Sequence, residues 1–142
     1  MNRSLALAEW HRSRDSLGAA EVLARARYPA DALSRAYYAI LHAAKAALHV
    51  HDVAADSHSA VRRLFGLHLV RSGEIEPGWA AYLSEGLDDR LAADYNALTN
   101  VSDKEARENC KRARRFLDRV RSYLLKNGFK QSELRQKRNP KT

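Results

Sequence analysis

The feature that most constrains the fold is an alanine-rich segment with helical periodicity at residues 31–49. Apolar residues recur along it three or four residues apart: Leu33, Tyr37, Ile40, Ala44 and Leu48. On a helix these side chains form one apolar stripe, and the further alanines between them let neighbouring helices approach closely. The segment is therefore predicted to be the central and most buried helix of the fold.

The rest of the chain also favours helix, because 142 residues contain only three prolines and six glycines. A first helix is predicted over residues 3–27, ending at Tyr28-Pro29, since the residue before a proline disfavours helical geometry. A short third helix should end near Ser72-Gly73, and Pro77 suits the first turn of a fourth helix.

The fifth predicted helix has the clearest start, because Ser102 and Glu105 have the spacing of a capping box. An inner apolar stripe then continues to the stop at Asn127-Gly128: Ala106, Cys110, Ala113, Leu117, Val120 and Leu124. We therefore predict a single all-α domain of about five helices over residues 1–128.

The net charge of +8 is concentrated at the C-terminal end. From residue 126 onward the sequence has six Lys or Arg residues and one acidic residue, Glu133. Such an excess attracts RNA, DNA or an acidic partner surface. The other interpretation is a solvated tail with no binding role. Residues 129–142 are predicted to be a basic, disordered tail.

Several classes of protein are excluded by what the sequence lacks. The single cysteine, Cys110, allows neither an intrachain disulfide nor a thiolate metal cluster. No segment approaches the roughly 18 apolar residues that span a bilayer, and no signal peptide is recognisable. The expectation is a soluble, cytoplasmic protein that uses no membrane and no cofactor.

A group of potential metal ligands lies in and around one predicted loop: His49, His51, Asp52, Asp56 and His58. Proximity in sequence does not bring such side chains onto one metal ion, and a stable zinc site needs ligands held by regular spacing and by supporting hydrogen bonds. These residues are therefore interpreted as a solvated loop, and no metal site is predicted.

The stretch Ser34-Arg-Ala-Tyr-Tyr-Ala-Ile-Leu-His-Ala-Ala-Lys-Ala-Ala-Leu48 resembles the second-helix signature of HEPN domains, in which Arg, paired Tyr and His-Ala-Ala-Lys share a helix. The resemblance continues through residues 64–75 and through Arg90-Leu-Ala-Ala-Asp-Tyr95. It implies an antiparallel helical bundle that forms a homodimer, with a minimal nucleotidyltransferase as partner. It also implies metal-independent endoribonuclease activity, which many members possess.

Active members of the family carry an Arg followed a few residues later by a His, in the later helices of the bundle. Here Arg90 is followed by Asp94 and Tyr95, with no histidine between or directly after them. A comparable spacing, with six residues between, occurs at Arg35 and His42 on the predicted second helix. The catalytic candidates are therefore Arg35, His42 and Arg90.

A polar stripe is predicted on the second helix, because five side chains recur at three and four residues: Arg35, Tyr38, His42, Lys45 and His49. In RNA cleavage a His can take the 2′-hydroxyl proton while an Arg stabilises charge on the phosphate. The structural alternative is that His42 and Tyr38 form hydrogen bonds inside the bundle while Arg35 pairs with a carboxylate.

Two further candidate regions follow from the sequence. Asp94 and Tyr95 are candidate binding residues beside Arg90, and the resemblance implies that a nucleotidyltransferase partner could adenylylate Tyr95; simple packing of this ring is the alternative. The basic face of the fifth helix could contact phosphates, with Phe116 and Tyr123 stacking on bases. An ordinary exposed helix with intrahelical ion pairs has the same pattern.

Three functions remain open at this point. The chain could be a metal-independent endoribonuclease in a nucleotidyltransferase-linked system of the toxin–antitoxin type. It could instead be a non-catalytic module that binds a nucleotide or a protein partner. A third possibility is a nucleic-acid-binding scaffold that uses the basic tail and the fifth helix.

Overall fold

The computed structural model describes residues 1–95 and 100–135, with side chains at 87–95 excepted, and in these parts the chain forms helices joined by short connections. The elements in order are α1 (Arg3–Arg25), α2 (Pro29–Val50), α3 (His58–Phe65), α4 (Gly78–Tyr95), α5 (Asp103–Lys126) and α6 (Gln131–Arg135). A π-helical segment, Gly66–Val70, follows α3 directly. No strand occurs in these ranges, so the predicted all-α class is confirmed. No helix in them is long and apolar enough to cross a lipid bilayer.

The alanine-rich helix is central, as predicted. α2 contacts α1, α3, α4 and α5, and most of its residues are buried, including Leu48 with no exposed surface. It begins two residues earlier than expected, at Pro29. A proline suits the first position of a helix because the N–H that it lacks would have no partner there.

The helices next to α1 run antiparallel to it. The backbone N–H of Asn2, before α1, donates to the carbonyl of His49, near the end of α2, at 2.9 Å. At the other end of α1, Arg27 Nε lies 3.1 Å from Asp103 Oδ2, in the first turn of α5. Because start meets end in both pairs, α1 lies between two antiparallel neighbours.

α5 supplies the second large part of the core. It starts after Ser102, whose Oγ accepts the backbone N–H of Glu105 at 3.0 Å, so the predicted boundary is confirmed. Its whole predicted inner stripe is buried. Phe116 and Tyr123 are also buried, at 1% and 3% exposure. The idea that these two rings stack on bases is therefore wrong, because they face the core.

The helical unit extends beyond the boundary expected at residue 128. Phe129 and Leu134 are buried, at 4% and 1% exposure, and Leu134 belongs to α6. Its carbonyl accepts hydrogen bonds from Trp10 Nε1 at 2.9 Å and from Arg14 at 2.6 Å. Two apolar anchors therefore hold the start of the expected tail against α1. Residues 136–142 lie outside the described part of the chain.

Candidate functional site

A groove between α1 and α2 gathers three of the residues singled out in the sequence. This α1–α2 groove has a volume of about 680 Å³, large enough for a small-molecule ligand. Its lining residues are Arg12, Ser16, Leu23, Asp31, Ser34, Arg35, Tyr38 and His42. The structure thus brings Arg35, Tyr38 and His42 together, because their spacing along α2 turns them to the side that faces α1.

His42 is held by a carboxylate that sequence reasoning did not find. Its Nδ1 lies 2.6 Å from Glu9 Oε2, on α1, and both side chains are about four-fifths buried. Lys45 Nζ lies 3.5 Å from the other Glu9 oxygen. The Tyr38 ring stacks near the imidazole, with centroids 6.4 Å apart and an interplanar angle of 27°. These contacts fix the ring of His42, and Nε2 has no hydrogen-bond partner among the residues that the structure describes, so it is the nitrogen that can meet a ligand.

The charge of Glu9 is stabilised despite its burial. Burial raises the pKa of the Glu9 carboxyl, but the hydrogen bond to His42 and the positive charge of Lys45 outweigh that effect and hold the pKa below its ordinary value. Glu9 is therefore ionised at neutral pH and accepts the Nδ1–H of His42. A carboxylate in this position also stabilises an imidazolium ion, should His42 take up a second proton.

Two arginines give the α1–α2 groove its positive rim. Arg12 and Arg35 are both exposed, and neither forms an ion pair within the described ranges. The alternative in which Arg35 is occupied by a carboxylate is therefore not observed there, although Asp31 lies one turn away on the same groove. Arg12 was missed because it is on α1. The available signal was its position three residues after Glu9, which places both side chains on one face of α1.

The polar stripe does not continue into the groove beyond His42. Lys45 is occupied by Glu9, and His49 is 6% exposed. Burial lowers the pKa of the His49 imidazole, although the charge of Glu9 acts in the opposite direction. His49 is therefore a neutral side chain of the interior rather than a groove residue.

The remaining sequence candidates fall in different places. Arg90, Asp94 and Tyr95 belong to α4, but their side chains lie outside the described residues. The potential metal ligands of the predicted loop are dispersed: His51 contacts Glu74, whereas the Tyr37 hydroxyl lies 2.7 Å from His58 Nδ1. Among the described side chains no group of three His, Cys, Asp or Glu is placed to share a metal ion.

Part of the basic surface of α5 contacts neighbouring elements. Arg119 Nε lies 2.7 Å from Glu76 Oε1, in the segment before α4. Arg112 and Arg114 form ion pairs with carboxylates of α4 and α1 in the same way. The expected intrahelical pairing is represented in the described ranges by Lys104 and Glu108, 3.9 Å apart. These arginines therefore serve contacts between helices, which the sequence pattern did not predict.

Comparisons with known proteins agree with this fold. The family model described as "HEPN domain" matches residues 7–123. A Methanocaldococcus jannaschii protein named "Putative toxin" is 33% identical over 112 residues, which cover 79% of this chain and 83% of that protein. A second protein of the same organism and name is 26% identical over 122 residues, 86% of this chain and 83% of its own. A UPF0332 protein of Gloeobacter violaceus is 30% identical over 114 residues, 80% of this chain and 90% of its own. The family match spans most of the chain and includes most of α1, all of α2 and the lining of the groove between them, so the chain belongs to the HEPN family.

Proposed function

We propose that this chain is the HEPN component of a toxin–antitoxin-type system linked to a nucleotidyltransferase, and that it cleaves RNA without a metal ion in the α1–α2 groove. The observation that carries the proposal is the hydrogen bond that His42 donates to Glu9, at a groove whose rim holds Arg12 and Arg35. The family membership and the toxin names of two relatives support the setting.

The chemistry assigned to the α1–α2 groove needs a base and a stabilised phosphate. His42 Nε2 takes the proton of an RNA 2′-hydroxyl, and that oxygen attacks the neighbouring phosphorus. The bond from phosphorus to the 5′-oxygen breaks and the leaving oxygen takes a proton from water, which leaves a cyclic phosphate. The hydroxide that remains takes the proton from His42, so the base is restored. Arg35 and Arg12 stabilise the charge that develops on the phosphate oxygens. Glu9 stabilises the imidazolium form of His42 while it holds the proton.

RNA cleavage in EDTA tests this proposal. Purified protein should cut single-stranded RNA with the chelator present, and His42→Ala should slow the reaction by about 10²- to 10⁴-fold because the base is removed. Arg35→Ala should slow it by about 10²-fold or more through lost charge stabilisation. Arg115→Ala, an exposed arginine on α5, is the matched control. RNA left intact by the wild-type protein, or cut equally by His42→Ala, would refute the enzymatic proposal.

A second candidate function is a non-catalytic module that binds a nucleotide or RNA in the same groove. It is favoured by the sequence Arg90-Leu-Ala-Ala-Asp94, which lacks the histidine that active members carry. In that case RNA is bound and recovered uncut, and Arg12→Ala combined with Arg35→Ala weakens binding while His42→Ala has little effect. The scaffold function has less support, because Arg112, Arg114 and Arg119 are already engaged between helices.

The assembly that we propose is a homodimer with a minimal nucleotidyltransferase as its partner, as the family resemblance implies. Sedimentation of the purified chain tests the dimer. Co-expression with a nucleotidyltransferase encoded beside it tests the partner. Mass spectrometry after incubation with ATP then tests modification of Tyr95, with Tyr95→Phe as the control.

A further inference from the structure

A second groove lies between the end of α1 and the first half of α5, and none of its described lining residues belongs to the α1–α2 groove. This α1–α5 groove has a volume of about 470 Å³. It is lined by Glu21, Ala24, Arg25, Arg27, Asp103, Arg107, Cys110 and Lys111. Cys110 is buried at 7% exposure and Ala24 packs against the core, so the inner part of the groove is apolar. The charged side chains are arranged around it.

The charges of the α1–α5 groove are unbalanced. Its two acidic side chains are already used, because Glu21 pairs with Arg114 and Asp103 pairs with Arg27. Three exposed cations remain, and none of them has an ion pair in the part of the chain that the structure describes: Arg25, Arg107 and Lys111. Like charges around one concave surface repel each other in the empty state and favour an anionic ligand.

Arg27 sits at this groove in a conformation that costs the fold stability. Its φ is +66°, in the left-handed region, where helix ends ordinarily place glycine. The ion pair that it makes with Asp103 adds little stability, because the Arg27 side chain is 81% exposed. Strain of this kind concentrates at functional positions, where the side chain serves a purpose other than stability.

We propose that the α1–α5 groove docks an acidic, partly apolar segment of a protein partner. An apolar side chain of that segment rests on Ala24 and Cys110, and its carboxylates meet Arg25, Arg107 and Lys111. The same end of α1 carries further exposed apolar surface at Val22 and Tyr28, which are 55% and 59% exposed. This docking is separate from the chemistry proposed for the α1–α2 groove and does not depend on it.

The composition of the lining favours a protein segment over RNA. Single-stranded RNA is bound by aromatic rings on which its bases stack and by cations that follow its phosphates. None of the lining residues that the structure describes is aromatic, the exposed Tyr28 ring lies outside the lining, and Glu21 and Asp103 interrupt the cations. A peptide that alternates apolar and acidic side chains matches the apolar inner part of the groove and the cations around it.

Cys110 provides a direct assay, because it is the only cysteine of the chain and lies in the groove. The probe is a short synthetic helical peptide of glutamate and leucine, with a glutamine-for-glutamate peptide and a single-stranded RNA oligonucleotide as comparisons. On the full chain, the acidic peptide should slow modification of Cys110 by a thiol reagent. The triple variant Arg25→Ala, Arg107→Ala, Lys111→Ala should weaken binding of that peptide by about tenfold or more.

Two more variants separate docking from folding. Arg27→Gly suits the left-handed backbone, so its melting temperature should stay level or rise, while peptide binding weakens because the charge of Asp103 is left uncompensated. Arg12→Ala with Arg35→Ala, in the other groove, should bind the peptide normally. The proposal is overturned if the acidic peptide does not bind, if the triple variant binds it as tightly as the wild type, or if RNA protects Cys110 and the peptide does not.

Discussion

A glycine in α4 offers a sharp test of the packing around α2. An added Cβ at Gly86 would lie 2.9 Å from Cδ1 of Tyr37, closer than real Cβ atoms approach a neighbour. Tyr37 is 3% exposed, its ring stacks on His58 at 5.5 Å, and its hydroxyl is 2.7 Å from His58 Nδ1. The ring therefore has little freedom to move away, and Gly86→Ala should force either the helix or the ring out of place.

Two opposing effects decide the size of this change. Replacing glycine by alanine inside a helix stabilises it by about 1 kcal/mol. Overpacking a well-filled core costs about 1–3 kcal/mol, and a shift of Tyr37 that breaks its bond to His58 adds about 1 kcal/mol. The net expectation for Gly86→Ala is destabilisation by about 1–3 kcal/mol.

Chemical denaturation measures this effect, and Gly18 provides the matched control. Gly18 also lies inside a helix, α1, but a Cβ there would meet no atom within 4 Å. Gly18→Ala should therefore raise the free energy of unfolding by about 0.5–1 kcal/mol, the helical preference alone. The reasoning is refuted if both substitutions stabilise the protein, because Tyr37 would then yield without cost.

Three further predictions concern charge and the C-terminal helix. Glu9→Gln should reduce the acid sensitivity of the fold. Because the pKa of Glu9 is lowered in the folded state, its carboxylate stabilises the fold above the ordinary glutamate pKa, and this stability is lost as pH falls. An unfolding free energy that depends on pH in the same way in both proteins would contradict the prediction. The hydrogen bond from Arg119 is the main reason that the pKa of Glu76 is lowered from 4.5 to about 2. The stability that Glu76 contributes is therefore present above pH 4.5 and lost as the pH falls towards 2. Thermal melts of Arg119→Ala should lack this loss, and because Glu76 is 62% exposed, salt should weaken the effect in the wild type. Leu134→Ala should lower the free energy of unfolding by about 2–4 kcal/mol. A smaller loss, measured by chemical denaturation, would mean that Leu134 does not anchor α6 to the core.

The local parts of the fold were predictable because single residues dictate them. Ser102 marks the start of α5 through its side-chain bond to the helix backbone, and the apolar stripe that follows faces the core as its period requires. The same reasoning placed Arg35, Tyr38 and His42 on one side of α2. These results depend only on neighbours within a turn or two, and such neighbours can be read from sequence.

The parts that escaped prediction depend on distant residues. Glu9 is 33 positions from His42, and no pattern within α1 indicates which helix its carboxylate contacts. The C-terminal helix was missed because its basic composition suggested a solvated tail, although Phe129 and Leu134 were present as apolar anchors. In both cases the deciding contact is with another helix, so it can be identified only when the position of that helix is known.

The composition of α2 explains why a carboxylate on α1 can reach His42 at all. Ala39 lies one turn before His42 on the same face and Ala46 lies one turn after it, and both are completely buried. Because neither has a side chain beyond Cβ, α1 can approach α2 closely on both sides of His42, and Glu9 then comes within 2.6 Å of Nδ1. Larger side chains at these two positions would separate the helices and leave the imidazole without its acceptor. The alanine richness that marks α2 as the central helix is therefore also what assembles the α1–α2 groove.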